Sequence, residues 1–186
     1  MIGRLGRPIR FEKHPVFREP CMDVEKLPYR PCVGLMIFNR QGCVWIGRRV
    51  GALVKERPNG WWQMPQGGID EGEEAAAAAL RELAEETGIR SGRIIGESAR
   101  WHSYDLPPEL MGRVWGGKYR GQTQKWFAIR FDGSDDEVDI APIDHPPEFE
   151  EWCWAPIDRL MALIVPFKRG VYQHVIEEFR PLATPL

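Results

Sequence analysis

The chain has 186 residues, 43% of them hydrophobic and 28% charged, with a formal net charge of -2 at pH 7. That balance suits a single globular domain with a substantial core, and it gives no electrostatic basis for tracking long nucleic acid by its backbone or for holding a DNA duplex. No run approaches the ~18 apolar residues of a membrane helix, and Cys21, Cys32, Cys43 and Cys153 lack C-x-x-C spacing, so they read as reduced packing residues rather than a zinc or disulfide framework.

In chain order, residues 1–28 are rich in charge and proline and begin with arginines, but they lack the apolar stretch of a secretory signal. They read as an extension of a cytoplasmic protein. Cys32 to Phe38 (CVGLMIF) is a near-continuous apolar run and predicts a buried strand, followed by a turn at Asn39 to Gly42 and a second strand from Cys43 to Gly47, forming a hairpin. Val50 to Gly60, with Lys55, Arg57 and Pro58, is a polar loop leading into a strand at Trp61-Trp62. A helix is predicted over about residues 71–87. Asp70 and Glu73 make a capping-box pattern, the five alanines Ala75 to Ala79 have high helix propensity, and Gly88 suits the left-handed position after the last turn, with Ile89 packing back.

Beyond the helix, Arg93 to Tyr104 contains a strand, and Asp105 to Gly121 is a long Gly- and Pro-containing loop of the kind that carries function. Gln124 to Phe131 alternates as a strand, with Phe127, Ile129 and Phe131 on one side and Gln122, Gln124 and Trp126 on the other. Asp132 to Asp139 is an acidic turn, Trp152 to Trp154 a short strand, and Phe167 to Phe179 a closing helix with Val171, Tyr172, Val175 and Phe179 inward. The four histidines, His14, His102, His145 and His174, have no ligand-like spacing.

The first helix poses an electrostatic problem. On a 3.6-residue period Ala76, Leu80, Leu83, Ala84 and Thr87 share one face, and Glu82, Glu85 and Glu86 cluster on the opposite one. Acids in a last turn face the negative end of the helix dipole at about 0.3–1 kcal/mol each, and neighbouring carboxylates repel. A divalent cation would offset both costs, and hard oxygen donors suit Mg2+, Mn2+ or Ca2+. The plainer alternative is a solvated acidic face.

The wider pattern separates these two readings. Gly67, five residues, Glu73, seven residues and then Arg81-Glu82-Leu83-Ala84-Glu85-Glu86-Thr87-Gly88-Ile89 match the Nudix box at every defined position, so the chain is identified as resembling the Nudix hydrolases. The likeness extends over residues 28 to 180, through Tyr29-Arg30-Pro31-Cys32-Val33-Gly34, Trp62-Gln63-Met64-Pro65-Gln66-Gly67-Gly68, Gln122-Thr123-Gln124-Lys125-Trp126-Phe127, Pro147-Glu148-Phe149 and Phe167-Lys168-Arg169. Those segments follow the order seen in bacterial RNA pyrophosphohydrolases, also described as dinucleoside polyphosphate hydrolases.

The resemblance implies an α+β fold, an α/β/α sandwich with a mixed sheet between helices, as one domain over residues 29–180 with a tail at 181–186. It also implies hydrolysis that depends on Mg2+, with Mn2+ as a substitute. On this basis Glu82, Glu85 and Glu86 are catalytic carboxylates and metal ligands, joined by Glu148 and by the backbone at Gly67. Glu73 and Arg81 brace the box, and Gly88 stops its helix. Arg30, Arg49 and Lys168 meet phosphate, Val165 and Phe167 form a platform for a base, and Tyr104, Gln122 and Gln124 contact phosphate or ribose. The implied substrate is the 5′ end of RNA. Diadenosine polyphosphates, oxidised nucleoside triphosphates and a non-catalytic polyphosphate-binding role stand as alternatives; protein partners and oligomeric state are not specified.

Overall fold

The computed structural model describes residues 26–50, 62–141 and 146–185. Most of the N-terminal extension, with His14 and Cys21, the polar loop carrying Lys55, Arg57 and Pro58, and Trp61 and His145 lie outside the described residues. The remaining cysteines, Cys32, Cys43 and Cys153, are free.

The centre of the molecule is a parallel pair. Strand β1 (Tyr29–Phe38) runs beside β7 (Gly121–Arg130) in unbroken register from Tyr29 opposite Gly121 to Phe38 opposite Arg130. Both are covered on two faces, which accounts for the continuous apolar run in β1. Its Val33, Leu35 and Ile37 face one hydrophobic cluster, while Met36 and Phe38 face the other. The alternation expected in β7 is observed: Phe127, Ile129 and Phe131 join the first cluster and Trp126 joins the second.

The sheet grows outward from this pair. Strand β2 (Val44–Arg49) meets β1 at the hairpin position Phe38 opposite Val44, then diverges to pair antiparallel with β3 (Trp62–Gln63) and β8 (Phe149–Ala155). Short β4 (Gln66–Gly68) pairs antiparallel with β1. On the other side β5 (Arg93–Glu97) and β6 (His102–Asp105) each pair antiparallel with β7, so the one strand expected between residues 93 and 104 is two.

Helix α1 (Ala75–Thr87) covers one face of the sheet through Ala78, Ala79 and Leu83. The short α2 (Leu160–Leu163) and α3 (Arg169–Phe179) cover the other, where Val171, Tyr172, Val175 and Phe179 are buried as expected. The result is a mixed sheet between helices. Among the described residues, no helix is long and apolar enough to cross a membrane.

Two expectations about α1 are corrected. The helix begins at Ala75, not near residue 71, because Gly72 takes a left-handed turn (φ 78°). The Asp70 N–H does donate to the Glu73 carboxylate (3.0 Å), but this half of a capping box forms in the turn ahead of the helix. The buried face is also rotated from the predicted one. Leu80 is 45% exposed and Ala76 is exposed, whereas Glu82 and Glu86 are buried beside Ala78, Ala79 and Leu83. Periodicity placed those acids toward solvent; tertiary packing turns two of them inward, where β4 meets them.

Candidate active site

The acids are held by local geometry that begins in β4. Pairing of Gly67 with Val33 brings β4 against α1 so closely that a Cβ at residue 67 would coincide with the Glu82 carboxylate, so a glycine is required there for room. One residue earlier, the Gln66 N–H donates to Glu86 Oε2 (2.9 Å). At the far end Gly88 adopts φ 75° and its N–H returns to the Ala84 carbonyl, which ends the helix as expected.

No basic residue lies in the last turn of α1; Arg81, a little upstream, supplies the cation. Its guanidinium donates to Glu73 (2.9 and 2.8 Å), to the Gly68 carbonyl (2.8 Å), to Glu82 (2.8 Å) and to Glu85 (3.0 Å). Arg81 thus ties the loop before the helix to the acids near its end. Hydrogen bonding from Arg81, with help from the Asp70 N–H, holds the Glu73 carboxyl down to about 2. The inward acids shift the other way: burial pushes Glu82 up against the pull of Arg81, and it pushes Glu86 well up, with the charges of Glu82 and Glu148 adding to the effect.

These groups open onto a cavity of about 540 Å3, within the range typical of small-molecule sites. Glu82, Glu85, Glu86 and Glu148 line it together with Gly67, Arg30, Arg49 and Gln122. Glu148 comes from just before β8, and its carboxylate pairs with Arg49. Helix, loop and strand end therefore deliver four carboxylates and two guanidiniums to one space.

Of the remaining expected contacts, Gln122 lines the cavity, while Lys168, Tyr104, Gln124, Val165 and Phe167 are not among its lining residues. Lys168 is 4% exposed and donates to Gln63 Oε1 (2.8 Å) and Gln66 Oε1 (2.7 Å), beneath the rings of Tyr104 and Phe167. Burial, aided by the charge of Arg49, lowers its ammonium to about 7. Gln122 Oε1 accepts from Gln66 Nε2 (3.0 Å), Gln124 Nε2 (2.9 Å) and the Tyr104 hydroxyl (2.6 Å), so Gln124 and Tyr104 are parts of a buried lattice that fixes Gln66. Val165 is 2% exposed in the core, and the Phe167 ring packs on Tyr104 at 5.7 Å between centroids.

Trp115, which sequence reasoning passed over, does line the cavity. Its signal was a large aromatic beside glycines in a loop already marked as functional, a setting in which a core role is unnatural.

The donor set suits a hard divalent cation. All four carboxylates offer oxygen, and the buried Glu86, crowded by Glu82 and Glu148, is a charge that a cation would relieve. The carboxylates are meanwhile paired with arginines or an amide, and among the described residues no three Asp, Glu, His or Cys side chains converge on one point.

Residues 28–175 match the NUDIX domain family. An RNA pyrophosphohydrolase of Brucella anthropi is 54% identical over 165 residues, covering 87% of this chain and 95% of that protein. One of Brucella abortus is 55% identical over 166 residues, with 87% and 93% coverage. Among solved structures, the MutT protein of Methanosarcina mazei Go1 superposes with a TM-score of 0.58 at 19% identity, covering 82% of this chain and 96% of that one. The E. coli dihydroneopterin triphosphate pyrophosphohydrolase gives 0.55 at 19% identity, with 81% and 99% coverage. These two structural likenesses speak to the fold.

Proposed function

The chain belongs to the Nudix family, and from that premise we propose that it hydrolyses the 5′-triphosphate end of RNA in the cytoplasm, using Mg2+, and so opens messages to decay. One observation carries the reading: four carboxylates and two arginines share a single cavity, a pairing of charges suited to a polyphosphate and its counter-cation. The substrate class follows the names of the Brucella relatives, whose likeness spans nearly their whole length.

Glu82, Glu85, Glu86 and Glu148, with the backbone at Gly67, would hold the metal, which when bound polarises phosphate and acidifies water. Arg30 and Arg49 neutralise the phosphate oxygens, their planar guanidiniums matching that geometry. Water adds to a phosphorus of the triphosphate, the bridging P–O bond breaks, and Glu82 accepts the proton from the incoming water. The products are 5′-monophosphate RNA and either pyrophosphate or successive phosphates. Lys168 acts from behind: by gripping Gln66 it fixes the backbone that faces Glu86.

The test compares phosphate and pyrophosphate release from 5′-triphosphorylated RNA and from diadenosine tetraphosphate at equal enzyme, with Mg2+, for wild type and Glu82→Gln. Faster turnover of RNA, lost in the variant, is expected. Preference for the dinucleotide would transfer the assignment to that substrate; equal release by both proteins would remove the catalytic reading.

A further inference from the structure

Among the described residues, Trp115 is the one aromatic side chain that lines the cavity. It belongs to neither hydrophobic cluster, and its ring meets one local and one distant side chain: the edge of Tyr119 at 6.5 Å between centroids, and the Arg30 guanidinium of β1 at 5.6 Å from the indole centroid. An indole that packs into no core and sits half-buried in a charged cavity has a flat face to offer a ligand.

Its backbone is shaped for that placement. Trp115 has φ 52°, the one positive value among described residues other than glycine, and it is followed by Gly116 and Gly117 at 64° and 71°. Three left-handed residues in succession turn the chain sharply, and a Cβ added at Gly116 would meet nothing, so that glycine serves conformation and not space. Side chains with large β-substituents avoid this region unless the surroundings compel it, and such outliers gather at ligand clamps.

We propose that Trp115 is the stacking platform for the nucleobase attached to the bound polyphosphate. This deepens the function proposed above and rests on it. Carboxylates and guanidiniums of the lining are fitted to phosphate and cation, and Val50, Pro146 and Pro147 add apolar edges; of the lining side chains described, Trp115 alone offers a flat aromatic face, on which stacking is tolerant of base identity. Phe167, the residue expected for that role, is half-buried with its ring against Tyr104 and is not among the residues lining this cavity. Arg30 joins the two halves of the ligand: it lies over the indole and also backs Gly68, beside the acids.

The experiment uses the full chain with Trp115→Ala and Trp115→Phe, and two substrates: a 5′-triphosphorylated RNA dinucleotide and ribose 5-triphosphate, which has the phosphates but no base. Trp115→Ala is expected to raise KM for the RNA at least about fivefold with kcat within about twofold, to leave ribose 5-triphosphate unchanged, and to be rescued by Trp115→Phe. A smaller rise, or an equal loss on both substrates, overturns the platform, the latter because it marks a general disturbance of the loop. Calorimetry with a non-hydrolysable guanosine triphosphate analogue and with inorganic tripolyphosphate separates this from the function itself. If wild type turns over neither substrate, the hydrolase reading fails, while selective weakening of the guanosine analogue in Trp115→Ala still supports stacking and equal binding by both proteins refutes it.

Discussion

Replacing Gly67 by alanine probes the closest approach in the site. The added methyl falls on the Glu82 carboxylate, with all three carboxyl atoms in its way, and Gly67 cannot retreat because it is paired with Val33 in the sheet. Either the backbone yields, at the roughly 1–3 kcal/mol of an overpacked interior, or Glu82 swings out and forfeits its 2.8 Å bond to Arg81, a charge-assisted contact of about 1.5–3 kcal/mol. These are alternative escapes from one clash, so they do not add, and a loss of about 2–3 kcal/mol is expected. For a chain of this size that lowers Tm by about 5–10 °C. Displacing a reacting carboxylate by about an ångström costs on the order of 100-fold in turnover. Scanning calorimetry and kcat on triphosphorylated RNA check both effects; wild-type Tm and kcat together would refute the packing argument and the placing of Glu82 at the chemistry.

Gly88→Ala is expected to lower stability by about 1–3 kcal/mol, seen as an earlier urea midpoint, because φ is 75° there and the new Cβ would lie 2.7 Å from the Asp139 nitrogen. Gly170→Ala, near the start of α3 with open space around it, should instead stabilise by about 0.5–1 kcal/mol and leave KM and kcat alone. Lys168 titrates near 7 in the folded protein, below its ordinary value of 10.5, so between those values the unfolded chain binds the extra proton and stability rises with pH. Urea titrations from pH 7 to 9.5 should show that rise, on the order of a few kcal/mol, in wild type and not in Lys168→Met; a parallel rise in both would place its origin elsewhere.

Much of the architecture is legible locally. Apolar runs and alternation mark β1 and β7, an inward stripe marks α3, and glycine marks the end of α1, because each depends on near neighbours. What eluded local reading was set at a distance. The rotation of α1 that buries Glu86 comes from contact with β4, and periodicity alone assigns Leu80 to the core when it is exposed. Lys168 and Tyr104, expected as substrate contacts, also complete the buried glutamine lattice, a role that no local pattern announces. Trp115 was missed because a loop tryptophan carries no periodic signature and its meaning comes from Arg30, a strand away.

The parallel pairing of β1 with β7 has a consequence for biogenesis. Its partners are separated by about ninety residues, so a large loop must close before β1, whose other edge meets the nearby β2 and β4, gains its parallel neighbour. On the ribosome, the edge of β1 that β7 covers stays open until residue 130 has cleared the exit tunnel. The nascent chain is therefore a natural client for chaperones during that interval, and an arrested translation product lacking β7 should aggregate although it already carries every acid of the box.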